Sequence, residues 1–137
     1  MTLFYVDASA LVKLIRDEPE SEVLRAFLAD ADLVSCELVL TEVPRAIRAA
    51  ASRDPRVPLE LLLDRAGDLL DAVALLPVER AVLVAAGALT EPVLRALDAI
   101  HVVAAAAASP LDAFVTYDER QAAAARLAGL RTVRPGA

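Results

Sequence analysis

Four carboxylates spread along the chain, Asp7, Glu42, Asp98 and Asp118, could together hold a hard divalent cation. Each also has a plain structural account. Asp7 follows the apolar run Leu3 to Val6 and precedes a helical pattern, so it can cap that helix or bind metal. Ser9 can support the Asp7 carboxylate or form a local turn. Glu42 sits among Val39, Leu40 and Val43, where it can pair with Arg45 on a helix surface. Asp118, with Gln121 three residues on, has the spacing of a capping box.

Asp98 is the most informative of the four. At the helical period Leu94, Leu97, Asp98, His101, Ala105 and Ala108 share one face. The surrounding helix is apolar nearly all round, which predicts that it is buried and that Asp98 is the most buried of the acids. An unpaired buried carboxylate needs a cation, a donor or a proton, so an arginine or a metal must answer it. His101, one turn on, suggests an Asp-x-x-His metal pair. As the only histidine it cannot build a multi-histidine zinc site, and it reads as a buried imidazole bonded to backbone or to a carboxylate.

Two carboxylates about 4 Å apart repel by roughly 4 kcal/mol at an effective dielectric near 20. Three or four in one place therefore require a compensating cation. Oxygen-only ligation selects Mg²⁺ or Mn²⁺ over zinc. No Ser–His–Asp arrangement is visible, and four glycines form no phosphate-cradling loop.

The elements that must position these groups alternate. Leu3 to Val6 predicts a strand, and the chain is helical from Ala10. A second helix is expected over Glu20 to Ala31, then a strand fragment at Leu33-Val34. The helix carrying Glu42 runs to about Ser52, with Pro44 implying either a kink or a helix start close by. Asp54 to Pro58 is a loop, Leu59 to Asp71 a helix and Val73 to Val78 a strand. Helices over Glu79 to Leu89 and Leu94 to Ala108 flank a break at Thr90-Glu91-Pro92. Ala113 to Tyr117 is a strand, Asp118 to Ala128 a helix ended by Gly129, and Arg131 to Val133 a last strand. The alternation predicts an α/β fold, a three-layer α/β/α sandwich on a mainly parallel sheet of four or five strands. In such sheets ligands gather at the carboxyl ends of strands, where Asp7 and Asp118 fall.

The 137 residues suit a single domain over 1–137. They are 58% hydrophobic with a mean hydropathy of +0.52, which excludes disorder. Much of the apolar content is alanine, pointing to tightly packed helices. One cysteine, Cys36, permits no intrachain disulfide and no cysteine zinc site, in keeping with a reducing cytoplasm. The start lacks the pattern of a signal peptide, and Ala96 to Ala108 is too short and too polar to cross a bilayer, so a soluble cytoplasmic protein without membrane contact is expected. The net charge of −6 argues against passive nucleic-acid binding. A nuclease that meets phosphate through bound cations escapes that argument.

With these residues in view, the chain resembles the PIN-domain ribonucleases. Tyr5-Val6-Asp7-Ala8-Ser9-Ala10-Leu11 is similar to their first motif, Thr41-Glu42-Val43 to the second acidic element and Leu97-Asp98-Ala99-Ile100-His101 to the third. Val115-Thr116-Tyr117-Asp118, then Ala125, Gly129-Leu130 and Pro135, resembles the last strand, helix and tail. The resemblance follows family order over the whole chain and is closest to VapC toxins of toxin–antitoxin pairs. It implies Mg²⁺- or Mn²⁺-dependent endonucleolytic cleavage of RNA by a metal-activated water. Carried over, Asp7 and Asp98 would be the principal metal ligands. Glu42 would complete the acidic triad through a second cation or a water, Asp118 would be the fourth carboxylate, and Ser9 and Thr116 would be supporting hydroxyls. The resemblance also implies a homodimer silenced by a VapB-like antitoxin whose tail enters the groove, with Leu11, Leu14, Leu24 and Phe27 as a candidate binding surface.

Other readings are a housekeeping RNA-processing PIN nuclease and a non-catalytic PIN-like interaction module. The short chain favours the toxin over the first, and the presence of all four carboxylates counts against the second. A haloacid-dehalogenase-type phosphatase would want an aspartate where Ser9 stands. A response-regulator receiver would want a lysine after a late strand, and the only lysine is Lys13.

Overall fold

Alternating apolar runs and amphipathic stretches fold into five strands and seven helices in a computed structural model, which describes residues 2–137. The order is β1 (Leu3–Val6), α1 (Ala8–Ile15), α2 (Ser21–Leu28), β2 (Asp32–Cys36), α3 (Val39–Arg53), α4 (Leu59–Ala72), β3 (Ala74–Leu76), α5 (Arg80–Gly87), α6 (Ala96–Ala107), β4 (Ala113–Val115), α7 (Glu119–Leu127) and β5 (Thr132–Val133). Every strand pairing is parallel and the sheet order is β3-β2-β1-β4-β5. The expected strands are all present: β1 has its expected bounds, β2 extends beyond the Leu33-Val34 fragment, and β3, β4 and β5 are shorter than expected.

Side chains alternate across β1, and this divides the interior in two. Phe4 and Val6 face α1 to α4, with Leu11, Leu24, Val43, Ile47 and Leu62. Tyr5 faces α5 to α7, with Val34, Phe114, Ile100, Val102 and Ala125. The result is the α/β/α sandwich expected from the alternation. Leu11 and Leu24 lie wholly inside the first layer and so form no part of the open docking surface expected for them, whereas Leu14 is half-buried and Phe27 stacks on Phe4 with 41% of its surface exposed. For Leu11 and Leu24 the apolar stripe of the early helices is a core face.

Local signals end the helices where chemistry requires. α3 stops at Arg53, with Asp54 extended ahead of Pro55. Pro44 lies within α3 and the helix starts close before it, as one of the two readings had it. The opening turn is tight, with Leu40 N–H donating to Glu37 O and Thr41 N–H to Leu38 O, both at 3.0 Å. Gly129, at φ +86°, closes α7: its N–H donates to Arg126 O and the Leu130 N–H to Ala125 O, each at 3.0 Å. That reversal sends β5 alongside β4.

β1 lies at the centre of the sheet. The chain leaves it towards β2 and β3 on one side, then crosses to β4 and β5 on the other. The crevice between the carboxyl ends of β1 and β4 is thus the switch point at which such sheets bind ligands.

Candidate active site

Asp7 leaves the end of β1 into that crevice and is the most buried of the acids, at 2% exposure. Its Oδ1 accepts hydrogen bonds from the Ser9 hydroxyl (2.6 Å) and from the Ala10 N–H (3.0 Å), and its Oδ2 accepts from the Thr116 hydroxyl (2.5 Å). Capping of α1 and support by Ser9 therefore coexist with a functional role. Burial pushes the Asp7 carboxyl above its usual range, although Ser9, Thr116 and the Ala10 amide work against the rise. A carboxylate offers about four acceptor sites. Three are used here, which leaves one on Oδ2 for a cation.

Thr116, at the end of β4, joins the two sides of the crevice. Its hydroxyl donates to Asp7 and accepts the Asp118 N–H at 3.1 Å. The Asp118 carboxylate in turn caps α7, accepting from the Arg120 and Gln121 amides at 2.9 and 3.1 Å. The capping box is only half made, because the Gln121 side chain donates instead to the Asp98 carbonyl at 3.3 Å. Ser9 closes the ring by accepting the Tyr117 N–H at 3.0 Å.

Asp98 corrects an expectation. It is half-buried in the first turn of α6, less enclosed than Asp7, and its neighbour Leu97 is 47% exposed. The expected burial holds only from Ala99 onward. An alanine-rich helix carries little apolar area per residue, so its apolar character does not demand enclosure on every side. Asp98 forms no ion pair among the described residues, and the arginine partner considered for it is absent there. Its carboxyl is pushed up by burial first and by Asp118 next, with Asp7 and Glu42 adding to the rise and His101 opposing it. The other three acids are thus within electrostatic reach of Asp98.

Glu42 does not pair with Arg45. Its Oε1 accepts a hydrogen bond from His101 Nε2–H at 2.5 Å. The imidazole is buried and bonded to a carboxylate, as one reading had it. Its second nitrogen lies 2.8 Å from the Tyr5 hydroxyl and 3.6 Å from the Cys36 sulfur, so neither nitrogen is left for an Asp-x-x-His metal pair. Tyr5 and Cys36 escaped the sequence reading. The only trace of Tyr5 was its place two residues before Asp7.

Among the described residues no three histidine, cysteine or acidic side chains stand close enough to enclose a metal ion. The donor set fits a cation that keeps much of its water. Mg²⁺ is usually held by one or two carboxylates with several waters retained. Asp7 and Asp98 are the two acids with raised pKa and no protein cation, and they would hold it.

The family model for the PIN domain matches residues 4–127. Ribonuclease VapC35 of Mycobacterium tuberculosis is 39% identical over 142 residues, and the match covers 98% of each chain. Ribonuclease VapC47 of the same organism is 36% identical over 141 residues, again over 98% of each. The crystal structure of VapBC2 from Rickettsia felis, bound to a DNA fragment from their promoter, shares the fold with a TM-score of 0.69 at 13% identity, covering 98% of this chain and 99% of that one. With its acids gathered at the β1–β4 crevice and relatives matched along nearly its whole length, this chain belongs to the PIN-domain family and, within it, to the VapC group.

Proposed function

We propose that the chain is a divalent-metal-dependent endoribonuclease, a single PIN domain over 1–137 that acts as the toxin of a toxin–antitoxin pair. The observation that carries this reading is Asp7: a buried carboxylate with three donors, one unused acceptor site and no protein cation, facing three further acids. Mg²⁺ or Mn²⁺ is the fitting ion. When bound, such a cation lowers the pKa of water and offsets charge on the reacting phosphate.

The chain's own residues supply the rest. Ser9 and Thr116 hold the Asp7 oxygens, and Asp98 faces them from α6. Glu42 and Asp118 complete the acidic wall, and an oxygen of this set takes the proton of the attacking water. The acidic net charge does not bar RNA. Arg95 precedes Asp98 at the start of α6 and Arg120 follows Asp118 in α7, both exposed and neither in an ion pair among the described residues. In this reading they meet the RNA phosphates beside the acids. A shallow cavity of about 370 Å³ opens beside Ser9, lined by Ala8, Val12, Lys13, Glu18, Ala46 and Tyr117.

The relatives' names support a cognate VapB-like antitoxin as partner. Exposed Leu83 and Val84 on α5, with Val93 ahead of α6 and Leu97 in its first turn, offer an apolar face for a homodimer. Among the described residues no helix is long and apolar enough to cross a membrane, in keeping with a cytoplasmic site of action.

The test is sequencing of RNA 5′ ends after incubation with wild-type protein and with Asp7→Asn, each with Mn²⁺ and with EDTA. New ends that require both Asp7 and the metal support the reading. Ends that appear equally in EDTA or with Asp7→Asn refute it.

A further inference from the structure

His101 is the single histidine of the chain, and its ring is 1% exposed between the interior and the acidic groove. On the interior side its Nδ1 meets the Tyr5 hydroxyl at 2.8 Å. Tyr5 is held on the central strand with its ring stacked on Phe114, centroids 5.0 Å apart, and edge-on to the imidazole at 5.8 Å. On the groove side Nε2–H donates to Glu42 Oε1 at 2.5 Å.

Glu42 has no comparable support of its own. It sits in the first turn of α3 beside exposed Leu40 and Thr41, and its long side chain has three rotatable bonds to fix. The hydrogen bond from a ring that is itself immobilised selects one orientation. It occupies Oε1 and leaves Oε2 as the oxygen available to the groove.

We propose that His101 is a positioning residue for the cleavage reaction: anchored on Tyr5, it aims Glu42 so that Oε2 accepts the proton of the attacking water. The proton balance is simple. As the water oxygen bonds to phosphorus, one water proton passes to Oε2; the P–O bond to the leaving ribose oxygen breaks, that oxygen keeps the bonding electron pair and takes a proton from solvent, and Oε2 later returns its proton to solvent. This inference rests on the nuclease reading given above. It gives Glu42 a role outside direct metal ligation and gives Tyr5 a role through His101.

A single histidine allows a direct test. In metal-free protein labelled with ¹⁵N-histidine, one imidazole is observed. Its Nε2–H proton should resonate far downfield, move upfield in Glu42→Gln, and respond at Nδ1 to Tyr5→Phe. In the cleavage assay with Mn²⁺, His101→Leu, which keeps the volume, should lower kcat by about 10- to 100-fold with KM unchanged. His101→Gln, which can still donate to Glu42, should recover much of that loss. The double variant Glu42→Gln/His101→Leu should be no slower than Glu42→Gln alone, because one residue acts through the other. Tyr5→Phe removes one hydroxyl and serves where His101→Leu fails to fold; it should slow kcat in the same direction.

An imidazole spectrum indifferent to Glu42→Gln would overturn the proposal, as would losses that multiply in the double variant. If Asp7→Asn is inactive while folded His101→Leu and Tyr5→Phe cut at the wild-type kcat, the nuclease reading stands and the positioning role falls. If Asp7→Asn cuts like wild type, the nuclease reading falls and takes the proposal with it.

Discussion

Replacing Thr116 by valine removes one oxygen and leaves the shape almost unchanged, at a position only 1% exposed. That oxygen makes two hydrogen bonds, donating to Asp7 Oδ2 at 2.5 Å and accepting the Asp118 N–H at 3.1 Å. A hydrogen bond to a charged group contributes about 1.5–3 kcal/mol, and one between neutral groups about 0.5–1.5 kcal/mol. The second loss is partly made good by water, because Asp118 is half-buried. Burial of the added methyl offsets about 0.8 kcal/mol. The expected net destabilisation is about 1.5–3 kcal/mol, or a Tm lower by roughly 5–10 °C for a chain of this size. Cleavage should fall by about 10- to 100-fold, since Oδ2 loses the donor that aims it. Thr116→Ser is the control. It keeps the hydroxyl and loses a methyl, at a cost of about 1 kcal/mol, and should cut RNA at close to the wild-type rate. Urea denaturation in EDTA and single-turnover cleavage in Mn²⁺ measure the two effects. A valine variant as stable and as fast as wild type, or a serine variant as impaired as the valine one, would refute the reasoning.

Asp98→Asn strands no buried cation, so the metal-free protein should be at least as stable as wild type while cleavage drops by about 100-fold or more; a variant that is destabilised yet active would sink the ligand assignment. Mn²⁺ at a hundredfold excess over Kd should stabilise the wild type by about 2.7 kcal/mol, and thermal denaturation of Asp7→Asn should show that gain lost. Because burial raises the Asp7 carboxyl in the folded state, the folded protein binds that proton more tightly than the unfolded chain. Stability in EDTA should therefore fall as pH rises from the ordinary aspartate value of 3.8 through the raised one, and Asp7→Asn should lack this component. A difference curve of the opposite slope, from denaturation at a series of pH values, counts against the burial of a charged Asp7. Val84→Glu places a charge on the exposed apolar face of α5; light scattering should show a dimer for the wild type and a monomer for this variant, and a wild-type monomer would refute the proposed dimer face.

The sheet and the helices were legible because periodicity reports them directly: apolar runs of three to five residues alternate with helical stripes, and Pro and Gly mark the breaks. Asp7 and Asp118 were legible for the same reason, since strand ends can be found from the run that precedes them. Two features were not. The Glu42–His101 contact joins residues 59 apart on different helices, and no spacing along the chain encodes it. The exposure of Asp98 was misjudged because alanine satisfies an apolar pattern without requiring burial, so the pattern does not tell which turn of α6 reaches the edge of the groove. Leu11 and Leu24 were misplaced in the opposite sense, an apolar stripe looking the same whether it meets the chain's own sheet or another molecule.

The link from Asp7 to Thr116 spans 109 residues. Ribosomes add roughly 5–20 residues per second, so a delay of about 5–20 s separates the making of one end of that hydrogen bond from the other. For most of it the emerging polypeptide holds an aspartate without Asp98 of α6, and throughout it lacks both the Thr116 hydroxyl that aims Asp7 and the Asp118 carboxylate beyond it. A nuclease built this way is harmless to the ribosome and message producing it until translation is nearly finished. Products of premature termination before β4 carry no working centre, whatever their abundance in the cell.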